Sequence, residues 1–462
     1  MGDAVTQIRG LGAPGISRRS EGNGIVQLPL AGLRIVVTMP PHTWFGGVDF
    51  NFAVEMAQEL RDLGATVFDL DTGAFVFRNE LHIDSAIEAL KSFRPDAAVS
   101  LPNAGYALLC NTPDRNNVFR DILRIPTLML WDHGLLQFPK LTLEPLPRTA
   151  AEGTDGAIGR IREMLDHPLY IHYSPDRGHI AALDKLGVID SRKVRFFLQP
   201  AYPNFVRYGY RTPPSNAFRT RVAFAGNVYL QASSALAFRK RQVLLDIENR
   251  VLAAKKNRLT ECLWDLIMAE LAALDRSTRK ELRLDPDSTF FWSFVHDEIE
   301  LVGNTEVRLM VLAGLRREYE FYGNFMESSA VSTLRDRYRI KFRKSLDYFT
   351  ELPLLFMNSD IIVDVVNLGY NSGISPKVMG CMACGGLVLF DYKADFRESM
   401  GDIADQVMFR SVDHLNQMVE EYLTDPRKRR DVSRCLQHRA CTEFSFGALC
   451  KRILVDEPAW RN

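Results

Sequence analysis

The stretch Asp364–Tyr392, DVVNLGYNSGISPKVMGCMACGGLVLFDY, decides the fold. The apolar run from Ile361 to Val366 predicts a buried strand. Asn367 to Pro376 then gathers the small and turn-forming residues that let backbone amides approach a ligand closely. Lys377 to Cys384 reads as a helix, with Ser375 at the N-cap and Pro376 at the first helical position. Free N–H groups and the positive end of the helix dipole therefore face whatever fills the loop, and an anion suits that place. Gly385 and Gly386 stop the helix, and Leu387 to Phe390 reads as a second short buried strand. Strand, loop, helix and strand in this order form one unit of a doubly wound parallel sheet.

The same alternation opens the chain. Arg34 to Met39 predicts a buried strand, PPHTWFGG a loop containing Gly46 and Gly47, Asp49 to Gly64 a helix, and Ala65 to Asp69 the next strand. Phe50, Ala53, Val54, Met56, Ala57 and Leu60 recur at helical spacing and are expected to pack on the sheet, leaving Glu59, Arg61 and Asp62 to water. A helix from Ile83 to Phe93 leads into the strand Ala97 to Leu101, and Val118 to Arg124 leads into Thr127 to Trp131. Asp132 and His133 follow that last strand, where such sheets present residues to a cleft. A histidine titrating near neutrality makes His133 a candidate general base beside Asp132, with His42 in the first loop as the second candidate.

Beyond Pro147 the chain turns polar, and the domain junction is placed at residue 170. The expected division is a disordered tail over 1–30, a first domain over 31–170 and a second over 171–455. Two strands of the second domain end in the same dipeptide, Gly226-Asn227 after Arg221–Ala225 and Gly323-Asn324 after Glu318–Tyr322. Between them, about 235–315 reads as a helical insertion whose Trp264, Phe290, Phe291, Trp292 and Phe294 are expected in a core rather than on an acceptor platform. The basic run Arg427–Arg430 reads as a solvated helix face, with peripheral membrane contact as the alternative.

Composition narrows the partners. Lys and Arg together number 57, as do Asp and Glu, so no net field attracts nucleic acid. Seven irregularly spaced cysteines suit a reducing compartment, and the cytoplasm is the expected location. Cys381 and Cys384 have no second ligand pair in the sequence, so no metal site is assigned. No apolar run is long enough to span a membrane, and the first residues lack a secretory signal.

Pro376-Lys377-x-x-Gly380-x-Met382-Ala383-Cys384-Gly385-Gly386, followed by an apolar strand and Asp391, resembles the carboxyl-terminal signature of GT-B glycosyltransferases. The group-1 and spore-maturation-protein-like types are the nearest in pattern. The resemblance implies an α/β architecture of two doubly wound, Rossmann-like domains facing across a cleft, here with a helical insertion in the second. It further implies transfer of a sugar from a nucleotide-diphosphate sugar to an acceptor hydroxyl on a glycan, lipid-linked or protein acceptor, in bacterial glycan or glycoconjugate synthesis. The donor is a substrate, and no other cofactor or metal is expected. Donor-binding positions carried over are Gly46, Gly47, Gly226, Asn227, Gly323, Asn324, Ser372, Gly373, Ile374, Ser375 and Lys377; Asp132 and His133 are the catalytic candidates. Many retaining members carry two glutamates where this chain has Ser372 and Gly380. Two other classes stay open, a nucleotide-sugar epimerase and a noncatalytic nucleotide-sugar-binding scaffold.

Overall fold

The computed structural model describes residues 28–40, 48–76, 80–100, 116–131, 162, 165–211, 217–228, 242–323 and 340–456. Two six-stranded sheets, parallel throughout, organise them. The first contains β1 (Arg34–Met39), β2 (Thr66–Asp71), β3 (Ala97–Ser100), β4 (Thr127–Leu130), β5 (Tyr170–Ser174) and β6 (Val194–Phe196), in the order β2-β1-β3-β4-β5-β6. The second contains β7 (Thr220–Ala225), β8 (Tyr319–Tyr322), β9 (Ile340–Arg343), β10 (Ser359–Asp364), β11 (Val388–Asp391) and β12 (Met408–Phe409), in the order β12-β11-β10-β7-β8-β9. The central strands are nearly continuous apolar runs because helices cover both faces of a parallel sheet. The architecture is the expected GT-B one of two Rossmann-like lobes.

The predicted domain boundary at residue 170 needs correction. β5 and β6 belong to the first sheet, so that lobe runs on to the connector Gln199–Tyr202. These strands are short, and the polar sequence before them resembles a linker. The end of the second segment also changes sides. Ala201 exchanges backbone bonds with the carboxyl-terminal region, donating to Phe444 O at 2.8 Å and accepting from Phe446 N at 3.0 Å. Tyr202 stacks on Phe52 with centroids 3.7 Å apart, and Phe446 stacks on the same tyrosine at 5.6 Å. The helix Phe446–Lys451 therefore closes the first lobe, not the second.

Helix Val48–Asp62 buries the predicted face at Ala53, Met56, Ala57 and Leu60, with Phe50 packed against the core, and differs at its margins. Phe52 is buried and Val54 is 42% exposed, while Glu59 is half-buried instead of facing water. Phe52 widens the buried face by stacking on Tyr202.

Between β7 and β8 the described chain is helical, over Gln242–Asn257, Leu263–Ala272, Arg276–Glu281 and Thr289–Ala313, the last passing through a π-helical segment Phe294–Glu300. Trp264, Phe291, Trp292 and Phe294 are fully buried, as expected of core, and Phe290 packs against them. No helix among the described residues is long and apolar enough to cross a membrane.

The aromatic sandwich yields a stability prediction. Phe446→Ala removes a ring packed on Tyr202 and should cost about 3 kcal/mol, read as a lowered urea midpoint with unchanged m-value. A change below about 0.5 kcal/mol would show that the terminal helix does not hold the first lobe.

Candidate active site

In a doubly wound sheet the crevice opens where successive strands leave in opposite directions. In the second sheet this lies between the carboxyl ends of β7 and β10. Asp364 ends β10, and Ala225 ends β7, with Gly226 and Asn227 directly after it. Lys377, from the helix Pro376–Ala383, joins them: its Nζ donates to Ala225 O at 2.6 Å and lies 2.6 Å from Asp364 Oδ1. Burial pushes the Lys377 ammonium below its ordinary value and nearby Arg308 adds to that, while Asp364 opposes both.

The glycines here are steric requirements. A Cβ on Gly323 would stand 1.9 Å from Gly226 O, and one on Gly226 would stand 3.0 Å from the Phe224 ring and 3.4 Å from Lys377 Nζ. Gly226 N donates to Tyr322 O at 2.9 Å, which closes the ends of β7 and β8 together. Arg308, from helix Leu301–Ala313 of the insertion, donates to Asn227 O at 2.8 Å and to Val365 O at 3.1 Å. It is a second cation at the crevice, and one basic residue in a long helix gave no sequence signal for this.

The loop after β10 is fastened at both ends. Val366 N donates to Asp391 Oδ1 at 2.7 Å, Leu368 N to Asn304 Oδ1 at 2.6 Å, and Lys393 Nζ to Tyr370 O at 2.7 Å. At its tip the expected amide nest exists and holds an anion, but the anion is the protein's own. Asp176, which caps helix Arg177–Lys185 of the first lobe, accepts from Ser372 N at 3.1 Å and from Gly373 N at 3.1 Å. Close approach is again a glycine matter: a Cβ on Gly373 would lie 2.3 Å from Pro175 O, and one on Gly178 would lie 2.5 Å from Asn371 Nδ2.

Ser372 Oγ accepts from Gly178 N at 2.7 Å and lies 3.0 Å from Asp176 Oδ1 and 2.7 Å from Asp395 Oδ2. Its single hydroxyl hydrogen serves one carboxylate at a time. Burial, and then the charge of Asp176, push the Asp395 carboxyl up to about 6. Burial also opposes ionisation of Asp176. The His179 ring, 3.9 Å away, and then the amides of Gly373, His179 and Ser372 outweigh this and hold it below the usual carboxylate range. His179 is itself buried, its ring nitrogens make no hydrogen bond among the described residues, and desolvation pushes its imidazole below the ordinary value while Asp176 opposes that.

The predicted site residues thus fall into four groups. Gly226, Asn227, Gly323 and Lys377 converge on the crevice. Ser372 and Gly373 are engaged in the contact between lobes, with Ile374 fully buried beside them, so the amides assigned to a donor phosphate are already occupied. Ser375 has the extended backbone of an N-cap and precedes Pro376 as predicted, but its hydroxyl makes no capping bond. Gly46, Gly47, Asp132, His133, His42 and Asn324 lie outside the described residues. Sequence reasoning missed Asp364, Arg308, Asp176 and Asp395. Of these only Asp364, the polar end of an apolar run, and Asp176, opening a helix after Ser-Pro, carried a local signal.

The two positions without glutamate have a steric and electrostatic explanation. A Cβ on Gly380 would meet the Phe205 ring at 3.0 Å, and Ser372 sits between the carboxylates of Asp176 and Asp395. Cys381 and Cys384 are buried free thiols, pushed well up by burial.

Residues 307–454 match a family model described as glycosyl transferase-like, a span that takes in Gly323, Asp364, Lys377 and the loop between the last two. The signature read at Pro376–Asp391 lies within it. No curated protein matches the chain. Among solved structures, the chain is similar to a glycosyltransferase from Rickettsia africae, with 11% identity, 93% of this chain and 99% of that chain covered, and a TM-score of 0.48. It is similar also to WaaG, a glycosyltransferase involved in lipopolysaccharide biosynthesis (11% identity, 91% and 99% covered, TM-score 0.46). A third is HepE of Anabaena in complex with UDP-glucose (11% identity, 92% and 98% covered, TM-score 0.44).

Two outcomes test this description. Asp395 has its carboxyl raised above the unfolded value, so its contribution to stability is complete below about pH 4 and is lost as pH rises through about 6. Asp395→Asn lacks that loss. Its unfolding free energy relative to wild type should rise by up to about 3 kcal/mol between pH 4 and about pH 7, measured by urea titration. A pH-independent difference would contradict the assignment. Gly380→Glu should not restore a family carboxylate; collision with Phe205 should destabilise the fold by about 3 kcal/mol, seen as a lowered Tm, and an unchanged Tm would refute the collision.

Proposed function

We propose that this protein is a metal-independent glycosyltransferase that moves a sugar, of hexose type, from a nucleotide diphosphate to an acceptor hydroxyl. The observation that carries the reading is the crevice where Lys377 and Arg308 meet the glycine-lined ends of β7 and β8. The glycosyl transferase-like match over 307–454 supports it. Departure of a nucleoside diphosphate places negative charge on the bridging oxygen. Two cations held beforehand in a water-poor crevice stabilise that charge without reorganising and stand in for a metal ion. Gly226 and Gly323 let the ends of β7 and β8 close on one another beside these two cations. Ser375 and the start of helix Pro376–Ala383 add their dipole from the same side.

The acceptor binds from the first lobe, on the side of the carboxyl ends of β1, β3 and β4, where parallel sheets bind ligands. Gly46 and Gly47 border it, and His133 or Asp132 takes the hydroxyl proton. The acceptor belongs to glycan or glycoconjugate synthesis in the cytoplasm. With Ser372 and Gly373 committed to Asp176, the donor contacts rest on Gly226, Asn227, Gly323, Ser375 and Lys377.

One observation favours a second reading. The loop is closed by Asp176, and neither glutamate position carries a carboxylate, with Gly380 packed against the Phe205 ring, which suits a noncatalytic nucleotide-sugar binder.

The test combines turnover and binding. Lys377→Met, checked for folding by its unfolding transition, should lower transfer from a panel of nucleotide sugars by at least about a hundredfold. Lys377→Arg should recover part of the rate, and wild-type transfer should persist in chelator. Full activity in Lys377→Met would overturn the crevice as the donor site. A nucleotide-dependent rise in Tm without transfer or hydrolysis of any donor would favour the binder.

A further inference from the structure

At the opposite edge of the second sheet, where β7 and β10 begin, a groove of about 710 Å³ opens between the sheet and helix Pro426–Thr442. Five arginines line it, Arg211, Arg219, Arg429, Arg430 and Arg434, against a single carboxylate, Asp360. They come from separate parts of the chain: Arg211 follows helix Pro203–Gly209, Arg219 precedes β7, and the other three project from the long helix. Asp360 is taken by Arg429 at 2.7 Å.

The other four have no carboxylate partner among the described residues. Several other arginines of this lobe are paired. Arg316 holds Asp413 at 2.6 Å, Arg317 holds Glu420, Arg397 holds Asp402 and Asp405 at 2.9 and 2.8 Å, and Arg439 holds Glu443 at 2.7 Å. Like charges gathered in a concave space repel one another, and field lines focus there, so an unneutralised cluster disfavours the empty state and favours an anion. Guanidinium groups offer paired donors that match phosphate oxygens. Volume and charge together suit a ligand carrying more than one phosphate charge.

We propose that this arginine groove is a binding site for a phosphate-bearing ligand, separate from the sugar-donor crevice at the other edge of the sheet. The basic run Arg427–Arg430 is then more than a solvated face, because two of its members turn into the groove beside Arg434.

The full chain is compared with the variant Arg219→Glu/Arg430→Glu/Arg434→Glu, whose exposed positions tolerate charge reversal, and with Lys377→Met. One arm titrates inorganic tripolyphosphate by calorimetry; the other floats the protein with phosphatidylcholine vesicles with or without phosphatidylglycerol. Binding should weaken at least about tenfold in the triple variant, fall with added salt and survive in Lys377→Met, which keeps this site distinct from the donor site. Capture by the anionic vesicles alone assigns the ligand to a lipid headgroup, and capture of tripolyphosphate alone assigns it to a soluble phosphate. Equal binding by wild type and triple variant, or no binding in either arm, overturns the proposal.

Discussion

The structure depends on one buried carboxylate. Asp176 is inaccessible to water, and a charge placed there is costly unless donors replace its hydration. The donors come from the opposite lobe: Ser372 N, Gly373 N and the Ser372 hydroxyl, with His179 N completing the set from its own helix. Each lobe is therefore unsatisfied at this point without the other. The same loop carries the chain into helix Pro376–Ala383, so its fixation by Asp176 also fixes where Lys377 enters the crevice. Arrangement of the lobes and arrangement of the cation are one constraint seen from two sides.

The insertion takes part in that constraint as well. Arg308 ties the ends of β7 and β10, and Asn304 bonds both Leu368 N and Asn367. Trp264 and His296 share the Glu300 carboxylate within the insertion, and Trp264 N donates to Asn371 Oδ1, beside the loop tip. Helices that look peripheral in the chain order thus brace the loop from behind.

Most of the architecture was legible because buried parallel strands are apolar runs and their connecting helices carry a period of their own. β1 matched the predicted bounds, and β10, the helix after it and β11 matched within two residues. The boundary was not legible, since β5 and β6 are short and flanked by polar residues, and nothing local tells a sheet's last strands from a linker. The side-chain set was only half legible. Glycines at strand ends and a lysine after a proline are local patterns, whereas Asp176 meets Ser372 across 196 residues of chain, and an occupied nest has the same sequence as an empty one. Phe205 beside Gly380 is a similar case: the glycine was noticed as a missing glutamate, but the ring that excludes a side chain there lies far upstream.

The return of Phe446 to Tyr202 and Phe52 bears on how the protein is made. A ribosome releases every strand of the first lobe long before it releases the segment that covers their outer helix. The nascent lobe must wait with an aromatic surface uncovered while the second sheet forms. Chain closure is thus a long-range event, slow by nature because distant segments must meet before the contact is gained. During that interval the growing polypeptide is most exposed to aggregation and in greatest need of chaperones.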